Sequence, residues 1–310
     1  MSSLTAAVQQ AESPVGQWMR ATFPHLGPLR QSVRDAAGGL LVAPSTAVAP
    51  GTQGAAIDWW LRVLIDPRVS LELPTRGLWD RRAGFDAAGR ELLDALCPRR
   101  PTILEPAVHA GQPDEWWARV CYALALLVER FRNPMVTGSR LFALPAGSGA
   151  ADLLALANDD EVADLIAMRD LALKHLLPRL PAGTVHTGPT FDGSAHLGAD
   201  ADLVVEGLLI DFKAGSGGKP RRDGTRSPSI ASTDVYQLLG YALLDFSDRY
   251  ALHAVGVYAV RFGHLAQWPL TELIRQATGR TDLGLLALRR QFEDLLTASD
   301  AAGKDVHRGR

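Results

Sequence analysis

Asp202, Asp211 and Lys213 are the residues whose types and spacing best suit a chemical task. The aspartates bracket two short β-rich runs, Leu203-Val204-Val205 and Leu208-Leu209-Ile210, and only Glu206-Gly207 separates the runs, which reads as a tight hairpin. A two-residue turn sets the register. Val205 faces Leu208, Val204 faces Leu209, Leu203 faces Ile210, and Asp202 lands across from Asp211. Side chains alternate along a strand, so Asp211 and Lys213 point one way while Ile210 and Phe212 point the other. Two carboxylates directly across a strand pair destabilise it unless a cation sits between them. Hard oxygen ligands of this kind suit Mg²⁺ or Mn²⁺, and a neighbouring lysine could orient or deprotonate a water or stabilise charge developing on a phosphate. Glu is less suited than Asn or Asp to the first position of a type I′ turn, and a bulged turn would shift the register and make Asp200 the nearer carboxylate. The plain alternative is an exposed Asp211–Lys213 ion pair on a half-buried strand.

Downstream of the hairpin lies a stretch rich in Gly, Pro and positive charge, from Ala214 to Pro228, which reads as a mobile loop. Its Lys219, Arg221, Arg222 and Arg226 could close over a phosphate backbone, and a solvated linker with scattered charges is an equal reading. Apolar periodicity then predicts a helix from about Thr233 to Asp248. Val235, Leu238, Leu239, Ala242, Leu243 and Phe246 form its stripe, and Gln237 and Tyr241, four apart, share a face outside it.

The segment Asp202 to Lys213, D-L-V-V-E-G-L-L-I-D-F-K, resembles motifs II and III of the PD-(D/E)XK nuclease superfamily. Gln237 and Tyr241 match the Q-x-x-x-Y signature of its RecB-like branch. The resemblance implies an α/β fold with a restriction-endonuclease-like α/β/α core, a mixed central sheet and a large helical insertion. It implies Asp202, Asp211 and the backbone carbonyl of Phe212 as ligands of Mg²⁺ or Mn²⁺, with Lys213 serving the nucleophilic water and Gln237 and Tyr241 positioning the strand. An acid on the first core helix would complete the metal site. Asp58 is the leading candidate and Glu129 the second, although Asp58 is equally placed for an i, i+4 pair with Arg62. The implied activity is hydrolysis of DNA phosphodiesters, with DNA and other proteins of a DNA-processing or defence system as partners. A catalytically inactive nuclease-fold module that binds nucleic acid or assembles with partners, and an RNA-directed nuclease, are the rivals.

The elements that would position these residues divide into four stretches. Residues 1–76 read as amino-terminal helices that include the first core helix, from about Gln53 to Ile65 with Ile57, Trp60, Leu61 and Leu64 buried. Residues 77–180 read as a helical insertion with helices near 85–96, 114–132 and 159–177. The run Val120 to Val128 is too apolar for a surface helix. Asp159-Asp160-Glu161 sits at a helix start, where acids cap rather than ligate. Residues 181–300 read as the nuclease core, with strands near 184–191, 201–205, 208–214 and 253–261 and two closing helices, and residues 301–310 as a disordered tail. In the core's approach, Asp192 and His196 are minor candidates.

Whole-chain properties are less specific. A chain of 310 residues with 47% hydrophobic content can bury a substantial core. A formal net charge of −2 argues against coating nucleic acid by bulk electrostatics but leaves room for a local basic groove. The two cysteines, Cys97 and Cys121, form no metal-binding spacing, so neither a zinc site nor an iron-sulfur cluster is expected. No run is long enough to cross a bilayer, and Met1-Ser2-Ser3-Leu4 lacks a signal pattern, so a cytoplasmic protein without membrane contact is expected.

Overall fold

The computed structural model describes residues 3–45, 48–79 and 84–308, with side chains described up to residue 299. The chain is a mixed α/β protein that divides into two compact units. The first comprises residues 1–40, 179–212 and 217–310, and the second residues 41–178 and 213–216.

The chain enters the first unit through α1 (Leu4–Gln9), α2 (Pro14–Thr22) and α3 (Gly27–Ala36). Ser13 caps α2 by accepting the Gly16 amide at 3.3 Å, and Pro14 occupies the first helical turn, where no amide proton is needed. The short α1 has only six residues. It is held by packing against a later helix, whose Gly240 has no room for a Cβ because the Leu4 δ-carbons would lie 2.7 and 2.8 Å away.

The second unit holds α4 (Pro50–Ile65), β1 (Val69–Ser70), α5 (Glu72–Arg76), α6 (Gly84–Leu96), β2 (Ile103–Leu104), α7 (Asp114–Arg132), α8 (Ala150–Leu154) and α9 (Asp159–His175). Every residue from Val120 to Val128 is buried, so α7 is the central helix of this unit, packed on α4, α5 and α9. α9 begins with a capping box: Asn158 Oδ1 accepts the Glu161 amide at 2.9 Å and the Glu161 carboxylate accepts the Asn158 amide at 3.0 Å. Glu161 is also fully buried, taking hydrogen bonds from the Tyr122 hydroxyl at 2.9 Å and from Arg140 at 2.6 Å. This acid therefore holds three segments together rather than facing a ligand. The helix carrying Asp58 belongs to this unit, although the sequence grouped it with the amino-terminal helices of residues 1–76.

The chain then returns to the first unit with β3 (Val185–Thr187), β4 (Leu203–Val205), β5 (Leu208–Lys213), α10 (Ser232–Leu244), β6 (Ala254–Ala259), β7 (His264–Pro269), α11 (Leu270–Thr278) and α12 (Leu285–Arg308). The five strands form one sheet in the order β3-β4-β5-β6-β7. The β3–β4, β4–β5 and β6–β7 pairs are antiparallel. β5 and β6 start level, with the His253 amide donating to Gly207 O at 3.0 Å, and α10 carries the chain back between them, the parallel crossover that makes the sheet mixed. One sheet face, with Val204, Leu209, Val255 and Val257, joins a core built with α10, α11, α12 and the amino-terminal helices. β3 is shorter than the strand anticipated over 184–191: beyond Thr187 the pairing is reduced to the Gly188 amide on Asp202 O, the Ala201 amide on Pro189 O and an isolated Thr190–Asp200 bridge, before residues 192–195 turn. α12 runs to Arg308, through most of the stretch read as a tail, while residues 309–310 of that stretch lie outside the described residues. Among the described residues no helix is long and apolar enough to cross a membrane.

Candidate active site

The hairpin register is the one that its two-residue turn demands. Leu203 pairs with Ile210, Val204 with Leu209 and Val205 with Leu208, without a bulge. Glu206 at φ 46° and Gly207 at φ 77° both take positive φ, as a type I′ turn requires. A glutamate tolerates that position because tertiary bonds hold it: its amide donates to Thr184 O at 3.2 Å and its carboxylate accepts the Thr184 amide. Gly207 has no such freedom of choice. A Cβ there would meet Ala251 O and the His253 ring at 2.6 Å each.

Continuing this register places Asp202 opposite Asp211 on the face shared by Val204 and Leu209, which is also the face covered by α10. Asp211 is 2% exposed, whereas Asp202 is half-buried. The Phe212 amide donates to Asp202 Oδ2 at 2.6 Å, which pins that carboxylate at the mouth of the hairpin. Lys213 is the last residue of β5 and follows Asp211 on the same side by strand alternation, while residues 213–216 belong to the second unit.

α10 brings the opposing groups. Asp234 accepts the Ala231 amide at 2.6 Å and starts the helix, and α1 and α12 pack along it. Because the helix is covered by the sheet as well as by these helices, its apolar surface is wider than a single stripe. Tyr236, Gly240, Tyr241 and Leu244 are buried in addition to the anticipated residues. Tyr241 is therefore not a boundary residue; it is 4% exposed and its ring stacks on Phe191 with centroids 5.8 Å apart at 25°. Gln237, half-buried, donates its Nε2 proton to the Tyr241 hydroxyl at 2.5 Å. With that oxygen engaged as an acceptor, the phenol's own proton remains to be donated.

The hydroxyl also lies in the field of the carboxylates. Burial pushes the Tyr241 phenol well above its ordinary range, and the negative charges of Asp211, Asp202 and Asp200 push it the same way against the opposing Gln237 bond. Asp200, which sequence offered only as a substitute in a shifted register, is thus near the site while the register is unshifted. Phe191 and Tyr250, edge to face at 5.5 Å, complete an aromatic wall that the sequence did not single out. The Tyr250 hydroxyl ties that wall to Thr190 O at 2.8 Å. In comparisons with known proteins, no family model, curated sequence or solved structure matches this chain.

The remaining candidates have local surroundings of their own. Asp58 is held by Arg62, with Nε on Oδ1 at 3.1 Å and Nη2 on Oδ2 at 2.8 Å, the forked i, i+4 pair that was its alternative reading. Glu129 is half-buried on α7; both acids belong to the second unit. Among the described residues no three His, Cys, Asp or Glu side chains gather as a metal-binding group. Asp192 is a structural clip, accepting the Ser247 amide at 2.8 Å, and this bond holds its carboxyl below the usual range. The basic loop is folded back on itself: the Gly218 amide reaches Ser227 O at 3.1 Å and the Arg221 amide reaches Thr225 O at 2.7 Å. Gly217 makes this possible at φ 81°, where a Cβ would lie 2.4 Å from Ser227 O. Arg221 donates to Ser227 Oγ at 2.5 Å, Lys219 and Arg222 are exposed, and Arg226 is half-buried.

Proposed function

We propose that the protein is a Mg²⁺- or Mn²⁺-dependent nuclease that hydrolyses DNA phosphodiester bonds through a RecB-like PD-(D/E)XK site on a restriction-endonuclease-like fold. The observation that carries this reading is the placement of Asp202 against Asp211 on one sheet face with the Tyr241 hydroxyl in the field of both. The donor set fits the ion: two carboxylates and the Phe212 carbonyl are hard oxygens suited to Mg²⁺ or Mn²⁺. When bound there, such an ion supplies positive charge to a phosphate and lowers the pKa of a water.

The chain's own residues supply the rest. Asp202, oriented by the Phe212 amide, and Asp211, fixed by burial in β5, present their oxygens on one face. Lys213 adds a cation at the open end of that strand, suited to orienting the attacking water or to neutralising charge on the phosphate. Gln237 fixes Tyr241, and the neutral phenol donates its proton as a hydrogen bond to an anionic oxygen. Lys219, Arg221, Arg222 and Arg226 provide sequence-independent attraction for the sugar-phosphate backbone.

The Asp58–Arg62 pair favours a second reading, a module that binds nucleic acid without cutting it, because that acid already has a counter-ion within its own helix. Linear, circular and single-stranded DNA, together with RNA, incubated with and without Mn²⁺ separate the two. Mn²⁺-dependent cleavage that Lys213→Ala abolishes while DNA binding persists supports the nuclease. Cleavage that survives this substitution, or binding without cleavage by the unaltered protein, overturns it.

A further inference from the structure

The last turn of α7, in the helical unit, carries a buried cation that meets no anion among the described residues. Arg130 is 6% exposed, its Nη1 donates only to the Pro134 carbonyl, and its Nε meets no acceptor. Among the described residues no carboxylate pairs with it. Other buried arginines differ: Arg62 forks onto Asp58 and Arg289 bridges Asp245 and Asp248. What Arg130 has in place of a counter-ion is two aromatic rings. Its guanidinium carbon lies 4.4 Å from the Trp79 ring centroid and 5.5 Å from that of Phe142.

Both rings face solvent. Trp79 is 56% exposed and Phe142 46%, and Met135, next to Pro134, is 84% exposed. From behind, Phe142 is braced edge to face by the buried Phe85, with centroids 5.7 Å apart at 80°. A braced ring with a bare outer face has its conformational freedom already reduced, which favours stacking by an incoming flat group. The cluster therefore offers two things at once: aromatic faces, and a positive charge that no carboxylate among the described residues compensates.

A partner that is flat, apolar on its faces and anionic along its length meets both. Single-stranded nucleic acid has these properties, whereas in a duplex the base faces are covered by their neighbours. We infer that Trp79, Arg130 and Phe142 form a stacking platform for unpaired bases of single-stranded nucleic acid, with Arg130 as counter-charge to the adjoining phosphate. This deepens the nuclease reading, on which it rests, by naming the strandedness of the substrate.

The test is binding in EDTA, which removes cleavage from the measurement, using fluorescently labelled oligo-dT, a blunt DNA duplex and heparin as a polyanion without bases. Trp79→Ala should weaken oligo-dT binding about tenfold, and Trp79→Ala with Phe142→Ala about a hundredfold, at roughly tenfold per stacked base. Trp79→Phe, which keeps an aromatic face, should retain most of the affinity and guards against misfolding as the cause. Duplex and heparin binding should not change. Unaltered oligo-dT affinity in the double variant, or an equal loss on heparin, overturns the platform. Trp79-dependent binding by a protein that cuts no substrate in Mn²⁺ would sink the nuclease reading and leave the platform standing; cleavage without Trp79 dependence would do the reverse.

Discussion

Two buried aspartates of the sheet-containing unit, Asp245 just beyond the end of α10 and Asp211 in β5, have opposite neighbours. Asp245 is fully buried, and Arg289, itself 4% exposed, reaches it with Nη2 at 3.3 Å. The Arg249 and Tyr250 amides donate to it at 3.0 and 3.3 Å, and Arg289 Nε also satisfies Ala242 O at 3.0 Å. Burial alone would raise the Asp245 carboxyl, and it does so despite these partners, which oppose it. Asp211 is nearly as buried, but the group across the strand pair is another carboxylate. A buried acid surrounded by donors welds a turn to a helix. A buried acid set across a strand pair from a second acid instead presents two hard-oxygen carboxylates side by side, and that contrast is what makes the hairpin the candidate site.

Breaking the structural acid should have the largest effect. Arg289→Ala leaves Asp245 buried without its charge partner and should cost about 3–5 kcal/mol, read as a fall in the urea midpoint. If the loss is below ~1 kcal/mol, the two aspartates do not differ as argued. At the hairpin the order of effects reverses. Lys213→Ala should lower cleavage by about 10²–10³-fold, the scale of removing one group that stabilises developing charge, with a change in stability within about 0.5 kcal/mol. Asp211→Asn should abolish Mn²⁺-dependent cleavage and, since it also removes a like charge across the strand pair, change the stability of the metal-free protein by no more than ~1 kcal/mol. A clearly less stable Asp211→Asn protein in EDTA would make Asp211 a structural residue like Asp245.

The hairpin was legible because its information is local. Two apolar runs and a two-residue turn leave one register, and only the fitness of Glu206 for positive φ was in doubt. What resolves that doubt, the bonds from Glu206 to Thr184, joins residues distant in sequence and has no local signature. The same limit explains what went unseen. β7, HLAQWP, carries a glutamine and ends in proline, and as an edge strand with half-exposed residues it shows no clear alternation. The burial of Tyr241 depends on its stack with Phe191, distant in sequence, and the assignment of α4 to the helical unit depends on packing with α7, neither of which an amphipathic pattern records. Trp79, Arg130 and Phe142 come from three separate segments, so their stack has no motif at all.

The finest separation between the two aspartates can be read at Tyr241, whose phenol senses Asp211 and Asp202 without belonging to the strand pair. Burial and carboxylate charge both hold its proton on, as burial does for the other tyrosines, so the ultraviolet titration of the folded protein minus that of Tyr241→Phe should show this phenol ionising well above the ordinary range of about 10. Since the raised value has a charge component, Asp211→Asn should bring that titration down, and saturating Mn²⁺ should bring it down further in the unaltered protein by neutralising both carboxylates. Substituting Asp245 should leave it nearly unmoved, because Arg289 already balances that charge. Tyr241→Phe removes the donated hydrogen bond while keeping the stack on Phe191, and should lower cleavage about tenfold, the ~1–1.5 kcal/mol of one hydrogen bond, with little change in oligonucleotide affinity. A Tyr241 titration insensitive to both Asp211→Asn and Mn²⁺ would mean that burial alone shifts the phenol, and would separate it from the carboxylates it is here assigned to serve.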